Sequence, residues 1–198
     1  MVQGLVKYCP ALPKMCYTPH RVKRDNALPK VLRLLETHQT LVVSGISHQY
    51  FDANKQIGKT SLLRQELFTE LQKRDQTVSF LDIGDLIDVE SLLLHLCNNE
   101  ERFNQKLSSL PEAEVFIFDE IHHALPRTEP NPLFSMVFPR FNECLMRFWD
   151  KIEKLRQDGK KIVFATALHP LNENYANFLY NPTITELLTA PVVELEKD

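Results

Sequence analysis

The sequence predicts an α/β protein, a three-layer αβα sandwich built around a parallel sheet of about five strands. Short apolar runs alternate with segments of helical periodicity along the chain. The apolar runs are nearly uninterrupted, as is typical of strands buried on both faces of a parallel sheet. The 198 residues, of which 43% are hydrophobic, suffice for one medium-sized domain with a substantial core.

The individual elements follow from the periodicity of the apolar residues. Strands are predicted at 40–45, 77–83, 113–120 and 160–170, with a fifth in the last nine residues, 190–198. Helices are predicted at 27–37, from Gly58 onward, within 88–110 with Asp88 as N-cap, and at about 134–157. A proline-rich loop is expected at 125–133. Right-handed crossovers place the helices on both faces of the sheet, and we expect Phe141, Phe148 and Trp149 to pack the last helix against it.

The first 25 residues differ in composition from the rest of the chain. They contain three prolines and no clear period, and residues 1–30 carry six basic side chains against the single acid Asp25. We interpret residues 1–25 as an irregular basic N-terminal arm that precedes one domain at 26–198. A basic arm suits contact with a polyanion such as nucleic acid, although a simple solvated start to the chain accounts for this composition more directly.

Charge and cysteine content indicate a cytoplasmic protein. The net charge of −3 is not the strong global field expected of a nucleic-acid or membrane binder. The four cysteines follow no spacing pattern, which favours reduced thiols in a cytosolic protein. No apolar run reaches transmembrane length, so we expect no membrane association.

Residues Gly58, Lys59 and Thr60 form the end of a phosphate-binding motif, G-x-x-x-x-G-K-[ST], at a predicted helix start. Backbone N–H groups at a helix N-terminus attract phosphate, and Gly58 allows close approach of the backbone. Lys59 is expected to reach the β- and γ-phosphates, and the Thr60 hydroxyl to bind Mg²⁺. The predicted cofactors are therefore ATP and Mg²⁺.

A second motif closes the third predicted strand with two acids, Asp119 and Glu120. Adjacent carboxylates at a core edge repel each other, and a bound cation explains them better than a helix cap or solvent exposure. We expect Asp119 to support Mg²⁺ and Glu120 to activate the attacking water as a general base. Thr166, at the end of the fourth strand, is the predicted sensor of the γ-phosphate or the water.

The start of the phosphate-binding loop is irregular, because twelve residues separate Gly45 from Gly58 where the motif has four. Two interpretations remain open: an insertion of about eight residues at 46–53, or a loop that runs from Ala53 to Thr60 with alanine in place of the first glycine. Both interpretations leave Gly58, Lys59 and Thr60 in the same positions of the motif. The predicted nucleotide contacts are Ala53, Gln56, Ile57, Gly58, Lys59, Thr60 and Ser61.

Lys59-Thr60, Asp119-Glu120 and Thr166, placed in that order on strands, resemble the P-loop NTPases of the additional-strand type. The segments "LPKVLRLLETHQTLVVSG", "GKTSLL" and "TVSFLDI" resemble the ATPase domain shared by AAA+ proteins, archaeal-type ATPases and related signalling NTPases. The resemblance covers about residues 25–195. It implies the strand order 5-1-4-3-2 and a catalytic set of Lys59, Glu120 and Thr166.

In contrast to the AAA+ proteins, the chain is expected to lack a helical lid. It is therefore also expected to lack the second sensor arginine, which the lid carries. No arginine finger can be assigned among Arg127, Arg140 and Arg147, so hydrolysis is expected to be slow unless a partner supplies an arginine. The resemblance implies action on a protein or nucleic-acid partner, or self-association.

Two other functional interpretations stay open at the level of sequence. "ANKQIGKT", "DEIH" and "FATA" also resemble one RecA-like helicase domain, but Gln56 replaces a glycine of that pattern and a second such domain does not fit in this length. A nucleotide switch that binds without hydrolysis would not need a base at Glu120.

Overall fold

The computed structural model describes residues 20–45, 58–83, 104–124, 138–166 and 190–196. In this part of the chain six strands form a single all-parallel sheet: β1 (His20–Lys23), β2 (Thr40–Ser44), β3 (Val78–Asp82), β4 (Val115–Asp119), β5 (Lys161–Thr166) and β6 (Val192–Glu196). The larger helical elements are α1 (Ala27–Thr37), α2 (Lys59–Ser61), a π-helical segment (Leu62–Leu67), α3 (Phe68–Lys73) and α4 (Phe138–Gln157). Short 3₁₀ turns occupy Arg24–Asn26 and Ile121–Ala124, and residues 104–108 are helical.

The sheet has the strand order β1-β6-β2-β5-β4-β3. Its last five members reproduce the predicted order 5-1-4-3-2, and the α/β class with a parallel sheet is confirmed. The difference is one additional strand, β1, which pairs in parallel with β6 at the edge of the sheet.

Strand β1 lies within the segment that the sequence analysis assigned to an irregular arm. His20–Lys23 pair residue by residue with Val193–Glu196, and a 3₁₀ turn then leads into α1. Three of the four β1 side chains are exposed, so the strand lacks the apolar pattern that identifies the others. Its formation depends on backbone pairing with β6, which composition does not reveal. Residues 1–19 lie outside the described part, and the boundary of the 26–198 domain remains a prediction.

Two buried hydrophobic clusters cover the two faces of the sheet, which gives the three predicted layers. Strand β4 shows why its sequence is apolar throughout: Val115 and Ile117 belong to one cluster, and Phe116 and Phe118 to the other. Leucines of α1 and of the helical stretch 59–73 complete the first cluster. The second cluster contains Phe148, Trp149 and Ile152 of α4, as expected for Phe148 and Trp149, whereas the side chain of Phe141 lies outside the described part.

Helix α4 is described from Phe138 to Gln157, within the predicted stretch of about 134–157, and its predicted residues 134–137 lie outside the described part. The predicted N-cap Asp88, the proline-rich loop 125–133 and the end of the fourth strand at 167–170 lie outside the described residues. Among the helices that the structure describes, none is long and apolar enough to cross a membrane.

Trp149 connects α4 to the turn that follows β4. The buried indole Nε1 donates a hydrogen bond of 2.9 Å to the carbonyl oxygen of Ala124, and its ring contacts Phe148 and Phe164. We expect Trp149→Phe to lower the free energy of unfolding by about 1–3 kcal/mol, because a buried carbonyl loses its donor while most apolar contacts remain. Urea denaturation monitored by circular dichroism measures this change. A variant as stable as the wild type would contradict a role for the hydrogen bond.

Candidate functional site

The carboxyl ends of the parallel strands bring polar side chains to one edge of the sheet. Ser44 at the end of β2 is in register with Thr166 at the end of β5, and Asp82 of β3 is in register with Asp119 of β4. Ser44, Asp119 and Thr166 are buried, although each is polar. In open α/β sheets this edge is where ligands bind.

A helix begins at this edge directly after Gly58. Gly58 has the left-handed backbone angles φ 76° and ψ 19°, which favour glycine, and its carbonyl accepts a 2.8 Å hydrogen bond from the Leu62 N–H. Helical structure then continues through Lys73, anchored by the buried Leu62, Leu63 and Leu67. The N–H groups of the first turn have no acceptor within the helix, so Lys59, Thr60 and Ser61 present the donors and positive dipole end that attract phosphate.

Thr60 and Asp119 join this helix to strand β4. The Thr60 hydroxyl donates a 2.7 Å hydrogen bond to Oδ2 of Asp119, a side chain with 0% exposure. The other carboxylate oxygen, Oδ1, accepts the Glu120 N–H at 2.9 Å. These two bonds fix the orientation of the Asp119 carboxylate, and they bring together two residues that the sequence analysis assigned to Mg²⁺.

Glu120 directly follows Asp119 in a strained conformation. Its φ of 55° lies in the left-handed region, which a glutamate rarely adopts and which concentrates at functional sites. Burial of the half-buried carboxyl raises the pKa of Glu120 above its ordinary value; Lys59 opposes that shift, and Asp119 and Asp82 add to it. A carboxylate with a raised pKa beside a lysine is suited to accept a proton from water.

Thr166 lies between the two motif strands, as the sequence analysis expected, because β5 separates β2 from β4. Thr166 is 3% exposed, and its carbonyl oxygen accepts the Gly45 N–H at 3.4 Å. Its register partner Ser44 is 1% exposed, and the Ser44 hydroxyl is the buried side-chain oxygen within the described ranges that lacks a hydrogen-bond partner. A buried hydroxyl without a partner at this edge indicates a place for a polar ligand.

The oxygen atoms at the edge fit a magnesium ion. Mg²⁺ takes oxygen ligands and is usually held by one or two carboxylates together with substrate phosphates and water. The Thr60 hydroxyl and the Asp119 carboxylate offer two such oxygens within 2.7 Å of each other, next to a helix N-terminus suited to phosphate.

Part of the predicted site lies outside the described residues. The described part of the site also contains residues that were not predicted from the sequence. Ala53, Gln56, Ile57 and Arg127 fall in undescribed segments, so both interpretations of the irregular loop remain predictions. The Ser61 hydroxyl donates to Gln65 within the helix, at 3.1 Å. Asp82 was missed, although an acid that closes a predicted strand is the signal that identified Asp119.

Comparison with solved structures assigns the fold. No known family pattern and no curated protein sequence matches the chain. DnaA from Aquifex aeolicus bound to AMPPCP superposes with a TM-score of 0.55 at 17% identity over 87% of this chain and 45% of its own. A replication initiator DnaA bound to AMPPCP and single-stranded DNA gives 0.53 at 18% identity, with the same shares of the two chains.

Domain III of DnaA from Thermotoga maritima gives a TM-score of 0.53 at 16% identity, over 88% of this chain and 64% of its own. The present chain therefore spans about half the length of the first two initiator chains. At these identities the likeness establishes the fold. The chain has the α/β P-loop NTPase fold, as the resemblance of its motifs implied.

Proposed function

We propose that this chain binds Mg²⁺–ATP at the carboxyl edge of its sheet, hydrolyses the nucleotide and uses the cycle to act on a protein or nucleic-acid partner. The hydrogen bond between Thr60 and Asp119 carries this proposal, because it unites two motifs that lie 59 residues apart in the chain. A helix N-terminus, a lysine and two oxygen ligands then meet in one place.

Each residue of the site has a distinct role in the proposed reaction. Lys59 and the N–H groups of the first helical turn hold the phosphates, and Thr60 and Asp119 hold the metal. The metal neutralises charge on the phosphate oxygens when it is bound. Glu120 accepts a proton from the attacking water, and Thr166 orients that water or the γ-phosphate.

The proposed turnover is slow in the isolated chain. P-loop ATPases accelerate hydrolysis with an arginine that stabilises charge in the transition state. Of the three arginines considered from the sequence, Arg147 is the one whose side chain the structure describes, and it is exposed on α4. We propose that a partner or a second copy of the chain supplies this group.

Two observations support the class of partner that we propose. A structure with this fold contains single-stranded DNA as well as AMPPCP, which supports a nucleic-acid partner. The basic residues near the N-terminus suit the same partner, while self-association would provide an arginine in trans. The unpatterned cysteines support a cytoplasmic location.

Binding of Mg²⁺–ATP to the wild type and to Lys59→Ala tests the proposal. We expect a 10- to 100-fold loss of affinity in the variant, because a charge-assisted contact with phosphate contributes about 1.5–3 kcal/mol. Isothermal titration calorimetry measures both affinities. Lys73→Ala, at the far end of the same helical stretch, is the matched control and should bind as the wild type does. A wild-type protein that binds no Mg²⁺–ATP at millimolar concentration would overturn the proposal.

A further inference from the structure

Gly58 is covered by an arginine from a distant part of the chain. A side chain placed on Gly58 would have its Cβ 3.0 Å from Nε of Arg24 and 3.6 Å from its Cδ. The Arg24 side chain thus lies on the turn that begins the phosphate-binding helix. Gly58 suits this position through its left-handed backbone, and a Cβ there would require the Arg24 side chain to shift by a few tenths of an ångström.

Glu66 holds Arg24 in this position. The Arg24 Nη1 donates to Glu66 Oε2 at 3.1 Å, and Nη2 pairs with Glu66 Oε1, which together make a two-pronged ion pair. The Arg24 side chain is 20% exposed and the Glu66 side chain 40%, so the arginine end of the pair is partly shielded from solvent. Arg24 therefore spans the first turns of the helix, with Gly58 below its Nε and Glu66 at its guanidinium tip.

The backbone of Arg24 lies directly after the edge strand β1, so its side chain links this edge of the sheet to the helix start. Arg24 begins the 3₁₀ turn that follows β1 and precedes α1. A single side chain accordingly ties the N-terminal edge strand to the start of the helix that carries Lys59 and Thr60. Misplacement of such a helix start by a fraction of an ångström weakens every contact that it makes with a phosphate group.

We infer that Arg24 is a positioning residue of the phosphate-binding site, which acts through its contact with Gly58 and its ion pair with Glu66. The inference rests on the proposed function for its ligand, a nucleoside triphosphate. Arg24 orders the helix start before the nucleotide arrives, so it affects binding of the nucleotide rather than the chemical step.

Steady-state hydrolysis and hydrogen exchange test this role in four variants. Arg24→Ala is expected to raise KM for Mg²⁺–ATP about tenfold while kcat stays within about twofold, because the lost order affects bound substrate and transition state alike. Glu66→Ala alone should raise KM several-fold. The double variant Arg24→Ala/Glu66→Ala should have the same KM as Arg24→Ala, because Glu66 acts through Arg24. Arg74→Ala is the matched control: it removes another arginine–glutamate pair, with Glu36, on the same side of the fold, and should leave KM unchanged.

Hydrogen exchange of the Leu62 amide in the nucleotide-free protein provides a readout that does not depend on ATP. This amide closes the first helical turn onto Gly58, so Arg24→Ala is expected to accelerate its exchange about tenfold, and Arg74→Ala to leave it unchanged. Unchanged exchange in Arg24→Ala would overturn the positioning role. Faster exchange with an unchanged KM, or additive effects of the Arg24 and Glu66 variants, would overturn its connection to the nucleotide. A wild type that neither binds nor hydrolyses ATP but shows the expected exchange would overturn the proposed function and leave the Arg24 contact intact.

Discussion

Glu120→Gln is expected to lower kcat for ATP hydrolysis about 10²- to 10⁴-fold, the usual contribution of a positioned general base, while the affinity for Mg²⁺–ATP stays near that of the wild type. The amide keeps the size of the carboxyl group but cannot accept a proton from water. Thr60, Asp119 and Lys59 are untouched, so the phosphate and metal contacts of the proposed site remain.

A single-turnover assay together with calorimetric titration separates these two effects. Glu112→Gln, an exposed glutamate that precedes β4, is the matched control and should have the wild-type rate. A turnover that survives in Glu120→Gln would assign the base to another group. A loss of binding as great as the loss of turnover would mean that Glu120 shapes the site rather than the chemical step.

The same substitution is expected to make the nucleotide-free protein more stable at neutral and alkaline pH. The folded-state pKa of Glu120 is raised, foremost by burial, because the folded protein favours the protonated carboxyl. The stability that this preference adds is fully present below the ordinary glutamate pKa of about 4.3. It is lost as the pH rises through the folded-state pKa and the buried carboxyl becomes charged. Glutamine carries no charge at any pH and avoids this loss. Melting temperatures at pH 8 should be higher for Glu120→Gln, and the advantage should shrink at acidic pH. A variant that melts below the wild type at pH 8 would contradict the assignment.

Phe118→Ala is expected to lower the free energy of unfolding by about 3–5 kcal/mol, the range for deletion of a fully buried aromatic side chain. Phe118 has 0% exposure and lies at the centre of an aromatic group. Its ring centroid is 6.2 Å from that of Phe116, 5.8 Å from Phe164 and 5.6 Å from Phe148. The loss is a large part of the 5–15 kcal/mol that holds a typical domain folded.

Urea denaturation at low temperature measures this loss. Phe68→Ala, a half-buried phenylalanine at the start of α3, provides the comparison and should cost clearly less, because its ring keeps more solvent contact in the folded state. If Phe118→Ala and Phe68→Ala lowered the free energy of unfolding equally, the aromatic group around Phe118 would stabilise the fold no more than a half-buried side chain does. Because Phe118 immediately precedes Asp119, we also expect a lower affinity for Mg²⁺–ATP in the fraction that remains folded.

Helices and strands could be predicted where their apolar residues recur with a recognisable period or form an uninterrupted run. The apolar runs that became β2, β4 and β5 are buried on both faces, so their chemistry is visible in the residues themselves. Strand order came from the motif resemblance rather than from periodicity, since no local pattern states which strands pair. Strand β1 escaped prediction because its exposed polar residues are held by backbone hydrogen bonds to β6.

Within the candidate site, the motifs predicted the residues but not their geometry. Glycine, lysine and threonine at fixed spacing, and two acids after an apolar strand, marked Lys59, Thr60, Asp119 and Glu120. The left-handed backbone of Glu120 depends on tertiary contacts and leaves no trace in sequence. The contact of Arg24 with Gly58 joins positions 34 residues apart that belong to no shared motif, so it appears only in the folded chain.

The short edge strand β1 has a consequence for the solubility of the protein. Strand β6 is rich in valine and leucine, and without β1 its outer backbone groups would form an open template for another chain. β1 covers that edge with four residues, three of them exposed and two of them basic, and Arg21 pairs with Glu194 at 3.6 Å. A brief, charged border of this kind discourages a further strand from adding to the sheet. Residues 20–23, which composition assigns to an irregular arm, thus protect the sheet against edge-to-edge aggregation, and a chain shortened past Lys23 would lose this protection.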